Sequence, residues 1–261
     1  MKLAAMDHVI KGSPEADVWE KAASLGLSGI EVGVRPEDVL PGGGELRAEE
    51  LLDLMQRTRL EIPSLCMGFH NDHGFVAQPE HAGRCASEIA AALDLCEHVG
   101  AETLLVPFFF KNDPKGDPDK IAETVSILKP LCAHAHSLGV ALCYEGTLGA
   151  DELHAMARHI KSRSFGVYFD LANVVWVGMD GPQQIRALGK LIRQVHMKET
   201  KVGPGDVRPG EGRVDYAESA KALEEIGYDK WLVLETPIGE PEFVAQDIEF
   251  TKRFFPLEAN H

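Results

Sequence analysis

The sequence predicts one (β/α)8 barrel covering residues 1–261. Strand-like apolar runs alternate with helix-like stretches eight times without a break, the pattern of a parallel sheet covered by helices. Four runs in the second half each finish on a metal-capable side chain: ALCYE on Glu145, FGVYFD on Asp170, IRQVH on His196 and WLVLE on Glu235. These residues are 25, 26 and 39 positions apart, near the roughly 30 residues of one βα unit. The runner-up, an open doubly wound sheet, would carry a glycine fingerprint after its first strand. Here that segment reads MDHVIKG and not GxGxxG.

The elements follow in order. The first strand is Lys2–Met6. A helix from about Pro14 is expected to use Ser13 as N-cap and Pro14 in its first turn. GIEVGV is strand two, PGGGE a loop, and helix two covers about Leu46–Arg59. IPSLCMGF is strand three, ending near His70, with NDHGFVAQPE a loop. Helix three runs from about His81 to Val99. AETLLVPFFF is strand four, and helix four covers about Lys120–Leu138, with Gly139 as its terminating glycine. Strands five to eight are the four runs above. Between and after them lie helices over about Asp151–His159 and Pro182–Gly189, one capped by Asp215, and one over about Glu242–Phe254.

Charge narrows the partners. Lys and Arg total 26 against 41 Asp and Glu, a formal charge of −15. Such a surface repels phosphate backbones and anionic bilayers, so neither nucleic acid nor membrane is an expected partner. Five cysteines, an odd number with no CxxC, read as buried free thiols in a reducing compartment. The N-terminal stretch lacks the apolar region of a signal peptide, and no run approaches a membrane span. The expectation is a cytoplasmic protein.

A carboxylate after a strand is often only the N-cap of the next helix, and a lone histidine is often only hydrogen-bonded. Four such residues on four consecutive strand ends are harder to dismiss. Neighbouring strand tips converge on one barrel mouth. Three carboxylates and an imidazole there would suit one divalent cation. Such an ion stabilises the enediolate left when a proton leaves the carbon beside a carbonyl. One glutamate removes the proton and a second returns it, inverting that carbon or exchanging aldose for ketose.

The Glu–Asp–His–Glu order, with GIEVGV, YEG, YFDLAN, VHMKETK, PGEGRVDY and LVLET around it, resembles the xylose-isomerase-like TIM-barrel superfamily of sugar and sugar-phosphate isomerases and epimerases. The resemblance is sharpest over Ala141–Pro237. It implies that Glu145, Asp170, His196 and Glu235 are metal ligands, and that Glu145 and Glu235 are also the acid–base pair. It further implies one Mn²⁺, Co²⁺ or Mg²⁺ ion, a small carbohydrate substrate, and a homo-oligomer, dimer or tetramer. Many relatives carry a substrate-contacting histidine where YFDLAN has Asn173, which the resemblance therefore places at the substrate. Asparagine still hydrogen-bonds but cannot become cationic, as in branches resembling hexulose- and pentulose-phosphate 3-epimerases.

Further substrate contacts are expected from Arg208 in the loop after strand seven, from His70 after strand three and from Glu31 on strand two. Arg208 with Lys201 and Lys198 tilts the expectation toward an anionic sugar. Lys198 is expected to point away from the metal and to pair with a neighbouring carboxylate. Glu211 divides between loop structure and site, and His73 is a weaker substrate-side candidate. The Phe108–Phe110 run and Trp176 read as wall or interface. His134 and His136 do not share a helix face.

Three other functions compete with epimerisation or isomerisation. A lyase acting on a keto sugar, inosose or dehydroshikimate would use the same metal and then expel a hydroxyl. A DNA-repair endonuclease of the superfamily would need more histidines and a basic face. A non-catalytic sugar-binding barrel would be expected to have lost a glutamate.

Overall fold

A computed structural model describes residues 1–73 and 79–258; of residues 72, 73 and 79 it describes the backbone alone. Eight parallel strands alternate with helices and close into a barrel in sequence order, as expected. The strands are β1 (Lys2–Met6), β2 (Gly29–Gly33), β3 (Ser64–Cys66), β4 (Thr103–Phe108), β5 (Ala141–Gly146), β6 (Phe165–Asp170), β7 (Ile192–Met197) and β8 (Trp231–Leu234). The helices are α1 (Glu15–Ser24), α2 (Gly43–Thr58), the short α3 (His70–His73), α4 (Ala82–Val99), α5 (Pro118–Leu138), α6 (Ala150–Ile160), α7 (Leu171–Trp176), α8 (Gly181–Leu188), α9 (Tyr216–Glu225) and α10 (Pro241–Lys252). β4, β6 and β8 are buried along their whole length. Barrel strands are covered on both faces, so their sequences read as continuous apolar runs rather than alternating ones.

Two compact units are distinguishable. One comprises Met1–Glu31, Leu54–Pro63 and Phe169–His261. In it β8 pairs with β1 from Lys2↔Trp231 to Ala5↔Leu234, and with β7 from Val195↔Leu232 to Met197↔Leu234. Its core includes Trp19, Ile30, Leu232 and Val233, each wholly buried. The other comprises Val32–Asp53 and Ser64–Tyr168. In it β4 and β5 stay in register from Thr103↔Ala141 to Phe108↔Gly146, and the Phe108 and Tyr144 rings stack with centroids 4.8 Å apart.

Several helix boundaries follow local rules. Asp117, Asp180 and Asp215 each accept backbone N–H bonds from the first turn of α5, α8 and α9. Gly139 ends α5 in the left-handed region at φ 74°, where a Cβ would be strained. Other boundaries differ from expectation. Ser13 is not the cap of α1: Pro14 holds that position, extended at φ −70° and ψ 179°, and its carbonyl accepts from Asp17 N. α2 begins at Gly43, so part of PGGGE is helical. β3 is only three residues long, because the chain turns at Met67, whose carbonyl accepts from His70 N. The helices α3 and α7 lie where loops were expected.

All five cysteines are free and buried, as expected. Among the described residues, no helix is long and apolar enough to cross a membrane.

Candidate metal centre

The strand ends deliver the four residues. Glu145 is the penultimate residue of β5, Asp170 the last of β6 and His196 the penultimate of β7. Glu235 directly follows β8, its N–H donating to the Met197 carbonyl at 3.0 Å. Ligand-type atoms of Glu145, Asp170, His196 and Glu235 all lie within 4.8 Å of one another. Glu145, Asp170 and His196 are buried and Glu235 is partly so.

Asp170 does two jobs with two oxygens. Oδ1 accepts from Ala172 N at 2.7 Å and Asn173 N at 2.8 Å, capping α7. Oδ2 lies 3.5 Å from Lys198 Nζ. The capping role of a strand-end carboxylate is therefore real here, and it consumes only one oxygen. Asn173 is itself buried in the first turn of that helix.

His196 is held from behind. Its Nε2 lies 2.9 Å from Glu31 Oε1, with both side chains essentially inaccessible. A carboxylate accepts only, so Nε2 carries a hydrogen toward Glu31. Nδ1 is 2.9 Å from Glu235 Oε2, a buried oxygen. A proton shared by these two atoms is one that a divalent cation would displace, leaving Nδ1 and Oε2 as two of its ligands. The backing carboxylate is the usual support for a metal-binding imidazole. The donor set thus fits a divalent ion.

Lys198 was expected to face away, and it does not. Residues two apart line one face of a strand, and although β7 ends at Met197 the side chain still turns the same way as His196. Its Nζ lies 2.5 Å from Glu235 Oε1. The expected pairing with a carboxylate is seen, inside the cluster. Burial pushes the Glu235 carboxyl up, but Lys198 and His196 outweigh it and hold the group well below the usual carboxylate range.

The loop after β7 is organised by Glu199, which the sequence did not single out. Its buried carboxylate accepts from Thr200 N, Gly210 N, Arg213 N and Val214 N at 2.9–3.1 Å. Gly212 closes against it, since a Cβ there would meet Glu199 Oε1 and the Thr200 carbonyl, each at 2.4 Å. Nothing local marks Glu199, because its partners are backbone groups up to 15 residues away.

Three residues expected to contact substrate have protein partners. Glu31 is wholly buried against His196. Arg208 donates to Asp247 Oδ2 at 2.5 Å and to the Pro237 carbonyl at 3.0 Å, with its guanidinium over the Phe243 ring. Loop and helix neighbours thus account for its charge. His70 is wholly buried, with Nε2 3.0 Å from Glu88 Oε2. Glu211 accepts from Arg208 N, a loop contact. The His73 side chain lies outside the described residues. Phe108 is buried in the core, whereas Phe110 and Trp176 are exposed.

Solved structures of the same fold include 3-keto-D-glucoside 4-epimerase YcjR from E. coli, at 15% identity and TM-score 0.80 over 97% of this chain and 99% of that one. D-psicose 3-epimerase from Clostridium cellulolyticum H10, solved with D-tagatose, aligns at 14% identity and TM-score 0.80 over 97% and 99%. IOLI protein with a bound zinc atom aligns at 18% identity and TM-score 0.76 over 98% and 100%. At these identities the likeness establishes the fold. No curated protein matches the chain. The xylose isomerase-like TIM barrel family matches residues 19–254, nearly the whole chain, and this protein belongs to that family.

Proposed function

We propose that this protein is a divalent-metal-dependent sugar epimerase or isomerase, acting by proton transfer between Glu145 and Glu235 at the carbon beside a ketose carbonyl. The observation that carries this reading is the four-residue cluster, in which the two glutamates accompany an Asp and a His whose ring is turned by Glu31. Structural neighbours that act on keto sugars support the same class.

The ion would be held by Glu145, Asp170, His196 and Glu235, and would supply electrophilic stabilisation of negative charge developing on the substrate oxygen. Mn²⁺, Co²⁺ and Mg²⁺ all suit three oxygen donors and one nitrogen. The protein's own groups do the remainder. Lys198 keeps Glu235 ionised and able to accept a proton. Glu145 serves as its partner, returning a proton to the opposite side. Asp170 is fixed through its capping oxygen, so its other oxygen has a set direction. The substrate class rests on the cluster and not on a basic loop, since Arg208 is engaged by Asp247 and Pro237.

The test is a panel of ketoses, ketose phosphates and 3-keto sugars incubated with Mn²⁺-loaded protein in D₂O. The expected result is deuterium at a carbon adjacent to the carbonyl, with an epimer or aldose as product. Loss of water instead would assign a lyase, and no exchange with any member of the panel would overturn the reading.

Two variants test the ligands. Asp170→Ala and His196→Ala should each abolish tight divalent binding while circular dichroism shows a folded barrel. Unchanged Mn²⁺ affinity in both would exclude the cluster as the site. Glu31→Gln should keep the fold but weaken divalent affinity by about 10–100-fold, the usual effect of removing the group behind a ligating histidine. Calorimetric titration reads this directly, and wild-type affinity would leave Glu31 with a packing role only.

A further inference from the structure

Three ligand-type side chains outside the proposed centre also converge. His70, Cys85 and Glu88 place a ring nitrogen, a thiol sulfur and a carboxylate oxygen within 4.8 Å of one another. His70 and Cys85 are wholly buried, and the Glu88 side chain is 13% exposed, enough to reach solvent. We infer that His70, Cys85 and Glu88 form a second divalent-cation site, of the zinc type.

Local structure builds the group. Cys85 and Glu88 are three residues apart on α4, so they share one helix face. His70 is presented to that face by the turn after β3. Its backbone is pinned there: the N–H donates to the Met67 carbonyl at 3.0 Å, and the carbonyl accepts from buried Asn112 Nδ2 at 2.7 Å. Glu88 is aimed from outside. Oε2 lies 3.0 Å from His70 Nε2, while Oε1 accepts from Arg84 Nε at 2.9 Å. Ligating carboxylates are held by such outer hydrogen bonds.

The chemistry of the donors selects the ion. Sulfur, imidazole nitrogen and carboxylate oxygen together suit borderline Zn²⁺, whereas hard Mg²⁺ or Ca²⁺ would avoid the sulfur. Zinc bonds of about 2.0–2.3 Å at tetrahedral angles put ligand atoms about 3.3–3.8 Å apart. The His70–Glu88 spacing is 3.0 Å and no pair of donor atoms exceeds 4.8 Å, so small side-chain rotations suffice. On binding, the Cys85 thiol releases its proton to solvent and the thiolate joins the ion. Three protein ligands with a solvent-facing Glu88 leave a fourth position for water.

Cobalt substitution separates this site from the proposed catalytic one, whose four ligands include no cysteine. Wild-type protein loaded with Co²⁺ should show thiolate-to-cobalt charge-transfer absorption in the near ultraviolet. The Asp170→Ala/His196→Ala double variant should retain that band, and Cys85→Ser should lose it. The result is independent of whether the epimerase reading survives. Absence of the band in Co²⁺-loaded wild type, or its persistence in folded Cys85→Ser, would overturn the inference. If Cys85→Ser fails to fold, Glu88→Gln decides, because its side chain reaches solvent. The band should then require at least about tenfold more Co²⁺, and an unchanged titration would overturn the site.

Discussion

Replacing Glu145 or Glu235 by glutamine is expected to lower kcat by about 10²–10⁴-fold while leaving the barrel folded, the range that general acid–base catalysis contributes. Glutamine preserves side-chain shape and one oxygen donor but cannot take up a proton. In Glu235→Gln the amide oxygen can still receive Lys198, which lies 2.5 Å from Oε1 in the wild type. Divalent binding should therefore weaken far less than turnover. The measurement pairs steady-state rates with deuterium uptake and metal content on the same preparations. Activity within a few-fold of wild type in both variants would remove the glutamates from proton transfer. The pH dependence has a definite sign. Lys198 and His196 outweigh burial and hold the Glu235 carboxyl below the usual carboxylate range. It is therefore ionised at neutral pH, and its contribution as a base should fade only as pH falls below that range.

The second large effect concerns stability. Glu199→Ala is expected to cost about 3 kcal/mol, because four backbone N–H groups lose one carboxylate and each buried donor left unpaired costs about 1–3 kcal/mol. The sum is smaller than four full penalties, since Gly210 and Arg213 are exposed and water can reach them. For a chain of this size, that corresponds to a midpoint lowered by about 6–12 °C. Glu199→Gln should recover part of the loss, because its amide oxygen can keep the three bonds now made to Oε1 while its N–H₂ would oppose only the Gly210 donor at Oε2. Gly212→Ala should be damaging too, since its Cβ would run into the same carboxylate and the Thr200 carbonyl. Thermal and urea unfolding provide the check. A Glu199→Ala protein within about 0.5 kcal/mol of wild type, the scatter of ordinary surface changes, would show that the loop is held some other way.

Features that depend on short range are legible along the chain. Runs such as FGVYFD and WLVL announce buried parallel strands, because both of their faces must be apolar. Asp215 and Gly139 mark helix ends, because a capping carboxylate and a left-handed turn act within a few residues. Strand ends at near-regular spacing placed Glu145, Asp170, His196 and Glu235 at the same end of the barrel, and the structure brings those four together. Tertiary structure decided which partner each remaining polar side chain received. Glu31 meets His196 across 165 residues, Arg208 meets Asp247 across 39, and His70 meets Glu88 rather than the four-residue cluster. A buried charged or polar group must be satisfied by whatever donor or acceptor the fold brings within about 3 Å. Composition and periodicity predict that burial, but only the closed barrel chooses the neighbour.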